Sequence, residues 1–239
     1  TRRLFSTLNR RAKRVNENEI IALDEDDLVA ITTREIAENH KLFSGERLVD
    51  CATKNIPSTN NIAFTSILTL YEITKIIYTE KCLEKGISKA KQEKALLYRP
   101  SDDVVEEFIL EVNKFWDTFM TNIPSIKEYI SIDIQNLDHK YRSVEGGNLL
   151  FRPIALSQFV LAIFECKKRM QITIEEAITR IGKIPMEISK SPWKNLLWLE
   201  ERGNINGRVK KKDLKLLMMF LVDETILSEK ETEELVQYI

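Results

Sequence analysis

Glycine and proline are scarce in this chain: 7 and 6 among 239 residues. That scarcity excludes an all-β protein built on many tight turns, which needs both residues to punctuate its strands. Cysteine is scarcer still. Cys51, Cys82 and Cys166 are far apart in sequence, which excludes a disulfide framework and a zinc-ligand spacing. Reduced thiols in the cytoplasm are the expectation. His40 and His139 are too few for a multi-histidine metal site, and the expectation is a chain without metal or cofactor. No apolar run approaches the roughly 20 residues of a membrane span. The basic amino terminus is not followed by the apolar stretch of a signal peptide, so no membrane association is expected. The chain begins on Thr1 with an amphipathic pattern already under way, as expected of the downstream part of a longer protein.

Net charge is also small, −1 from 36 basic and 37 acidic residues. This excludes a generally basic nucleic-acid coat. The charge is unevenly spread, however. Arg2, Arg3, Arg10, Arg11, Lys13 and Arg14 place six cations and no acid in the first fourteen residues, leaving −7 for the remainder. Such asymmetry points to a polyanionic partner met by one patch.

A hydrophobic fraction of 43% and a charged fraction of 31% suit a cored domain with a solvated surface. Residues 2–15 read as a short helix, with cations crowding its negative end. Asp24, Glu25, Asp26 and Asp27 precede an apolar periodic stretch from Leu28, as at a helix start. The same tetrad admits a metal reading. A short strand is expected at Arg47–Ala52, and a long, mostly buried helix from Ile62 to about Leu83. The Lys-rich residues 84–98 form the best boundary, dividing the chain into residues 1–98 and 99–239.

Ser101, Asp102 and Asp103 open a helix whose Val105, Phe108, Val112, Phe115, Trp116 and Phe119 recur at helical spacing. Pro124 interrupts it. Thr173 with Glu176, and Ser228 with Glu231, read as capping boxes. Pro192 suits the first turn of a helix carrying Trp193, Leu196, Leu197 and Trp198. Leu214, Leu217, Met218 and Leu221 mark another helix. The fold class is mainly α: a multi-helix domain with little strand, the alternative being the helical part of a larger α/β protein.

Two stretches together resemble a known family. Phe5-Ser6-Thr7-Leu8-Asn9-Arg10-Arg11-Ala12-Lys13-Arg14-Val15, followed by Leu23-Asp24, Asp26-Asp27 and Ala30, is similar to the segment after the signature motif of DGQHR-domain proteins. That group includes the DndB-like DNA sulfur-modification proteins. Arg99-Pro100-Ser101-Asp102-Asp103, Phe115-Trp116, Tyr141-Arg142, Gly146-Gly147, Leu150-Phe151-Arg152-Pro153, Pro192-Trp193 and Trp198 resemble the family's carboxy-terminal helical half. The Asp-Gly-Gln-His-Arg string itself does not occur here. The expectation is that this chain starts just downstream of it, so no nucleotide-handling residue carries over from the family's amino-terminal part, which resembles the ParB nucleotide-binding fold.

The resemblance implies a bacterial DNA-modification or phage-defence setting: phosphorothioation of DNA and regulation of its genes. One related branch is linked to ATP hydrolysis. The function expected is therefore a DNA-associated accessory or regulatory protein, with DNA and other modification proteins as partners. The alternatives are an ATP-hydrolysing enzyme whose nucleotide site lies upstream, and a non-catalytic helical interaction module.

Candidate residues follow from both lines. Arg3, Asn9, Arg10, Arg11, Lys13 and Arg14 are the candidates for DNA phosphate contact; the alternative is a solvated helix end or an arm against an upstream domain. Tyr141, Arg142, Gly146, Gly147 and Arg152 form a second candidate site. Its alternative is a hairpin whose arginines pair with the acidic surface. Arg208, Lys210, Lys211 and Lys212 beside Gly203 and Gly207 admit a phosphate cradle or an exposed linker. Trp116, Trp193 and Trp198 read as core rather than base-stacking platforms. Cys51 near His40 suggests a thiol nucleophile, without a motif to support it.

Overall fold

The computed structural model describes residues 21–49, 56–57, 59–137, 140–236 and 238. The basic helix expected at 2–15 lies outside them. The acidic tetrad opens the described fold, and its members have local tasks. Asp24 Oδ1 accepts from the amides of Asp26 at 2.8 Å and Asp27 at 2.9 Å. Asp27 Oδ1 accepts from Val29 and Ala30 and so caps α1 (Leu28–Asn39). The Tyr71 hydroxyl donates to the other oxygen of Asp27 at 2.6 Å. Glu25 takes Arg34 and Arg99. Capping and surface pairing therefore account for Asp24, Glu25 and Asp27.

The strand expected at 47–52 is seen as β1 (Leu48–Val49), paired in parallel with β2 (Thr65–Ser66) in the register Leu48↔Thr65. This pairing delays the next helix. It was expected from Ile62, but α2 (Ile67–Glu84) starts only after the ladder, with Ser66 accepting from the Thr69 amide as its cap. The Lys-rich segment carries α3 (Lys89–Ala95), of which only Gln92 is buried.

α4 (Asp102–Asn122) buries Val105, Phe108, Val112, Phe115, Trp116 and Phe119 along one face, as its 3.6-residue period requires. Each such side chain contributes roughly 1.5–3 kcal/mol on burial. Ser101 occupies the N-cap position, yet its hydroxyl makes no capping bond; Asp102 and Asp103 still complement the helix dipole. Ile123 breaks the helix, and Pro124 starts α5 (Pro124–Ser131) at the position where its missing N–H costs nothing.

α6 (Pro153–Met170) is the central helix. Its buried residues run almost all round it, from Ala155 through Phe159 and Ile163 to Cys166. It packs against α2, α7 (Ile174–Ile181) and α8 (Lys211–Val222). α1 packs against both α2 and α4, and α4 against α7. Capping boxes start α7 and α9 (Glu229–Leu235), as expected from Thr173–Glu176 and Ser228–Glu231. One cluster of buried apolar residues runs from Leu28 to Leu235. The fold is mainly α, as expected. No helix among the described residues is long and apolar enough to cross a membrane.

The helix expected after Pro192 does not form. Asn195 takes a left-handed conformation (φ 67°), and the chain reverses so that β5 (Trp198–Leu199) pairs antiparallel with β6 (Asn204–Ile205). On a helix, positions 193 and 198 would point roughly 140° apart. The turn instead buries both indoles, and Trp193 Nε1 donates to the Pro185 carbonyl at 2.7 Å. Trp116, Trp193 and Trp198 are all buried, which bears out their reading as core residues.

Candidate functional site

Arg3, Asn9, Arg10, Arg11, Lys13 and Arg14 lie outside the described residues. The second candidate group is fully described, and the structure brings it together. Arg142–Ser143 (β3) and Gly146–Gly147 (β4) form a small antiparallel hairpin with Arg142 opposite Gly147. Both glycines have positive φ, 125° and 116°. At Gly147 an added Cβ would lie 2.4 Å from the Tyr141 carbonyl oxygen, so only glycine fits this approach. A 3₁₀ turn over Leu149–Phe151 then leads through Arg152 into α6.

Arg142 is completely buried. Its Nη1 donates to the carbonyls of Asn60 (2.9 Å) and Ala63 (2.6 Å), and its Nη2 to those of Phe64 (3.2 Å) and Phe151. This fork ties the approach to β2, the hairpin and the start of α6 into one unit. Arg152, 6% exposed, reaches back across the hairpin. Its Nη2 donates to the carbonyls of Ser143 (3.2 Å) and Gly146 (2.6 Å), and its guanidinium lies 5.5 Å from the centre of the Trp198 ring. Tyr141 stacks on Phe151 and meets Tyr129 edge-on. The hairpin alternative is thus correct in shape, but these arginines are held by carbonyls rather than by the acidic surface.

The electrostatic consequence is unusual. Carbonyls satisfy N–H groups but bring no countercharge. Burial, and then the charge of Arg152, pushes the Arg142 guanidinium down to about 9. Burial alone pushes Arg152 down to about 10.

A cleft opens on each side of the hairpin. One, of about 1000 Å³, is lined by Lys140, Tyr141, Ser143, Glu145, Met186 and Glu187 among others. The other, of about 460 Å³, is lined by Arg142, Arg152, Ser157, Trp198, Gly203, Gly207, Lys211 and Glu72 among others. It unites two groups that the sequence keeps some sixty residues apart: the Arg142–Arg152 hairpin and the glycine-flanked basic run. That run divides on folding. Lys211 joins the cleft, 3.8 Å from Glu72. Lys212 pairs with Glu234 at 2.6 Å. Arg208 lines a neighbouring surface depression. Glu72 on α2 and Ser157 on α6 were missed from sequence; the only signal was a polar residue within each largely buried helix. Ser157 Oγ donates to Glu72 Oε2 at 3.2 Å.

Other candidates separate from this cleft. Cys51 lies outside the described residues. His40 is buried; its Nδ1 accepts from the Leu42 amide, which places the proton on Nε2, facing Asp117 at 3.3 Å. That approach is close without the alignment of a hydrogen bond. Burial pushes the Cys166 thiol up to about 11, which removes it as a nucleophile at neutral pH.

A family model matches residues 1–217: DndB, described as DNA-sulfur modification-associated. The match includes the basic opening stretch, the hairpin and the 460 Å³ cleft. No curated protein and no solved structure matches the chain.

Proposed function

Since the chain belongs to the DndB family of DNA-sulfur modification-associated proteins, we propose that it acts as a DNA-associated accessory or regulatory component of that modification system. The observation that carries this reading is the charge of the opening stretch, six cations without an acid in fourteen residues of an otherwise acidic chain. Arginine and lysine at such density neutralise phosphates and release counterions, giving affinity without base readout. In this reading residues 1–98 supply the DNA contact. Residues 99–239 offer a helical surface to other modification proteins in the cytoplasm.

The test is DNA binding by the full chain across a salt series, read by fluorescence anisotropy of a labelled duplex. Changing Arg10, Arg11 and Arg14 together to Ala should weaken binding and lower the slope of log affinity against log salt by about 3. Unchanged affinity with an unchanged slope would remove the basic stretch from the interface and the reading with it.

A further inference from the structure

We propose that the cleft between the hairpin and the start of α8 binds an oxyanion of the phosphate type through Arg152 and Lys211. The argument begins with charge. Arg142 and Arg152 are 0% and 6% exposed, and every hydrogen bond that they make among the described residues goes to a backbone carbonyl. Two adjacent cations without a paired carboxylate are costly to bury, and a dianion would offset that cost. Burial already holds both guanidiniums below the ordinary arginine range.

Unused donors point the same way. Arg152 spends Nη2 on Ser143 and Gly146. Its Nη1 makes no hydrogen bond among the described residues, and the side chain lines the cleft. An unpaired donor on so largely buried an arginine is uncommon, and a ligand is one of the ordinary explanations. The Nε of Arg142 is buried and unpartnered.

The rim supplies the rest. Lys211 has a 58% exposed side chain. It stands in the first turn of α8, and Lys210 at the N-cap carries no acceptor for the first amides. The positive pole of the helix dipole therefore adds to Lys211. Glu72 is the opposing charge in the cleft, held by Ser157 and approached by Lys211. Among the described residues, three cations line the cleft against this one carboxylate. The volume, about 460 Å³, suits a small phosphorylated molecule or one phosphate of a longer ligand.

Inorganic phosphate is the probe, titrated into the full chain at ionic strength held constant with chloride. The readouts are the Trp198 indole N–H resonance and thermal stability. A saturable shift is expected, with affinity about tenfold weaker in Lys211→Glu, as for a lost charge-assisted bond. Glu72→Gln should tighten binding, and Arg208→Glu, outside the cleft, should leave it unchanged. Arg152→Gln should abolish it; if that variant does not fold, the Lys211 and Glu72 variants decide alone. No saturable shift, or equal losses in Lys211→Glu and Arg208→Glu, overturns the proposal. A short DNA duplex then identifies the source. Displacement of phosphate that requires Lys211 assigns the oxyanion to DNA, and no displacement assigns it to a small molecule. The Arg10, Arg11 and Arg14 variant should keep phosphate binding, so either idea can fail without the other.

Discussion

Gly147→Ala should be among the most damaging single-methyl changes in this chain. Two costs combine. At φ 116° an alanine sits in a region that side chains rarely adopt, worth of order 1–3 kcal/mol. Its Cβ would also lie 2.4 Å from the Tyr141 carbonyl oxygen, 2.8 Å from that carbonyl carbon and 3.1 Å from the Arg142 Cα. All three are backbone atoms, so no flexible side-chain end can yield. Tyr141 O already accepts the Asn148 amide at 2.9 Å, and any retreat stretches that bond and shifts the Arg142 fork. Overpacking of this kind costs about 1–3 kcal/mol. The total, about 2–6 kcal/mol, is a large part of a typical domain's 5–15 kcal/mol. Gly86→Ala is the matched control. Gly86 also has positive φ (67°), but nothing lies within 4 Å of the added Cβ, so the cost is about 1–2 kcal/mol. Urea unfolding followed by circular dichroism should separate the two variants by about 2 kcal/mol. In thermal melts Gly147→Ala should fall roughly 4–8 °C below Gly86→Ala. Equal stability of the two variants would mean that the close approach at the hairpin is not a constraint.

Two further perturbations probe the same framework. Arg142→Lys keeps the charge but offers three donors to four carbonyls, in the wrong geometry for a fork. At least one buried acceptor is orphaned, at about 1–3 kcal/mol, and wild-type resistance to urea would show that the cage contributes nothing. Burial lowers the pKa of His40, with Asp117 opposing only in part. Below about pH 6.5 the unfolded chain therefore takes up a proton that the folded chain refuses, and stability falls as pH drops. His40→Gln should remove up to about 1.4 kcal/mol of the stability lost between about pH 7.5 and 5.5. The same pH dependence in both proteins would place the titration elsewhere.

Helices were legible where local signals agreed with burial. The Thr173–Glu176 and Ser228–Glu231 boxes, the Asp27 cap and the six-residue apolar stripe of α4 need only neighbours in sequence to declare themselves. Boundaries failed where a partner from elsewhere intervened. α2 starts five residues later than its pattern suggests because Thr65 and Ser66 are taken by Leu48 and Val49. The segment after Pro192 has a proline start and apolar spacing, yet the pairing of Trp198 with Ile205 overrides both.

The cleft was legible only in fragments, for a related reason. An arginine in sequence reads as a surface charge, because guanidinium is seldom buried without a carboxylate. Arg142 departs from that rule because Asn60, Ala63, Phe64 and Phe151 aim four carbonyls at one point, and the first three lie about eighty residues from it along the chain. Gly146 and Gly147 were candidates in the sequence, but what they approach, Ser189 and the Tyr141 carbonyl, is set by the folded hairpin. Arg152 then illustrates the limit. Its contacts to Ser143 and Gly146 explain why the hairpin needs a long cation. They do not use its Nη1, which a purely structural role would leave unpaired on the cleft lining. An arginine that served only the hairpin could be replaced by a residue donating to two carbonyls. The surplus donors, set beside Lys211 and the open end of α8, make sense as provision for a second acceptor arriving from outside.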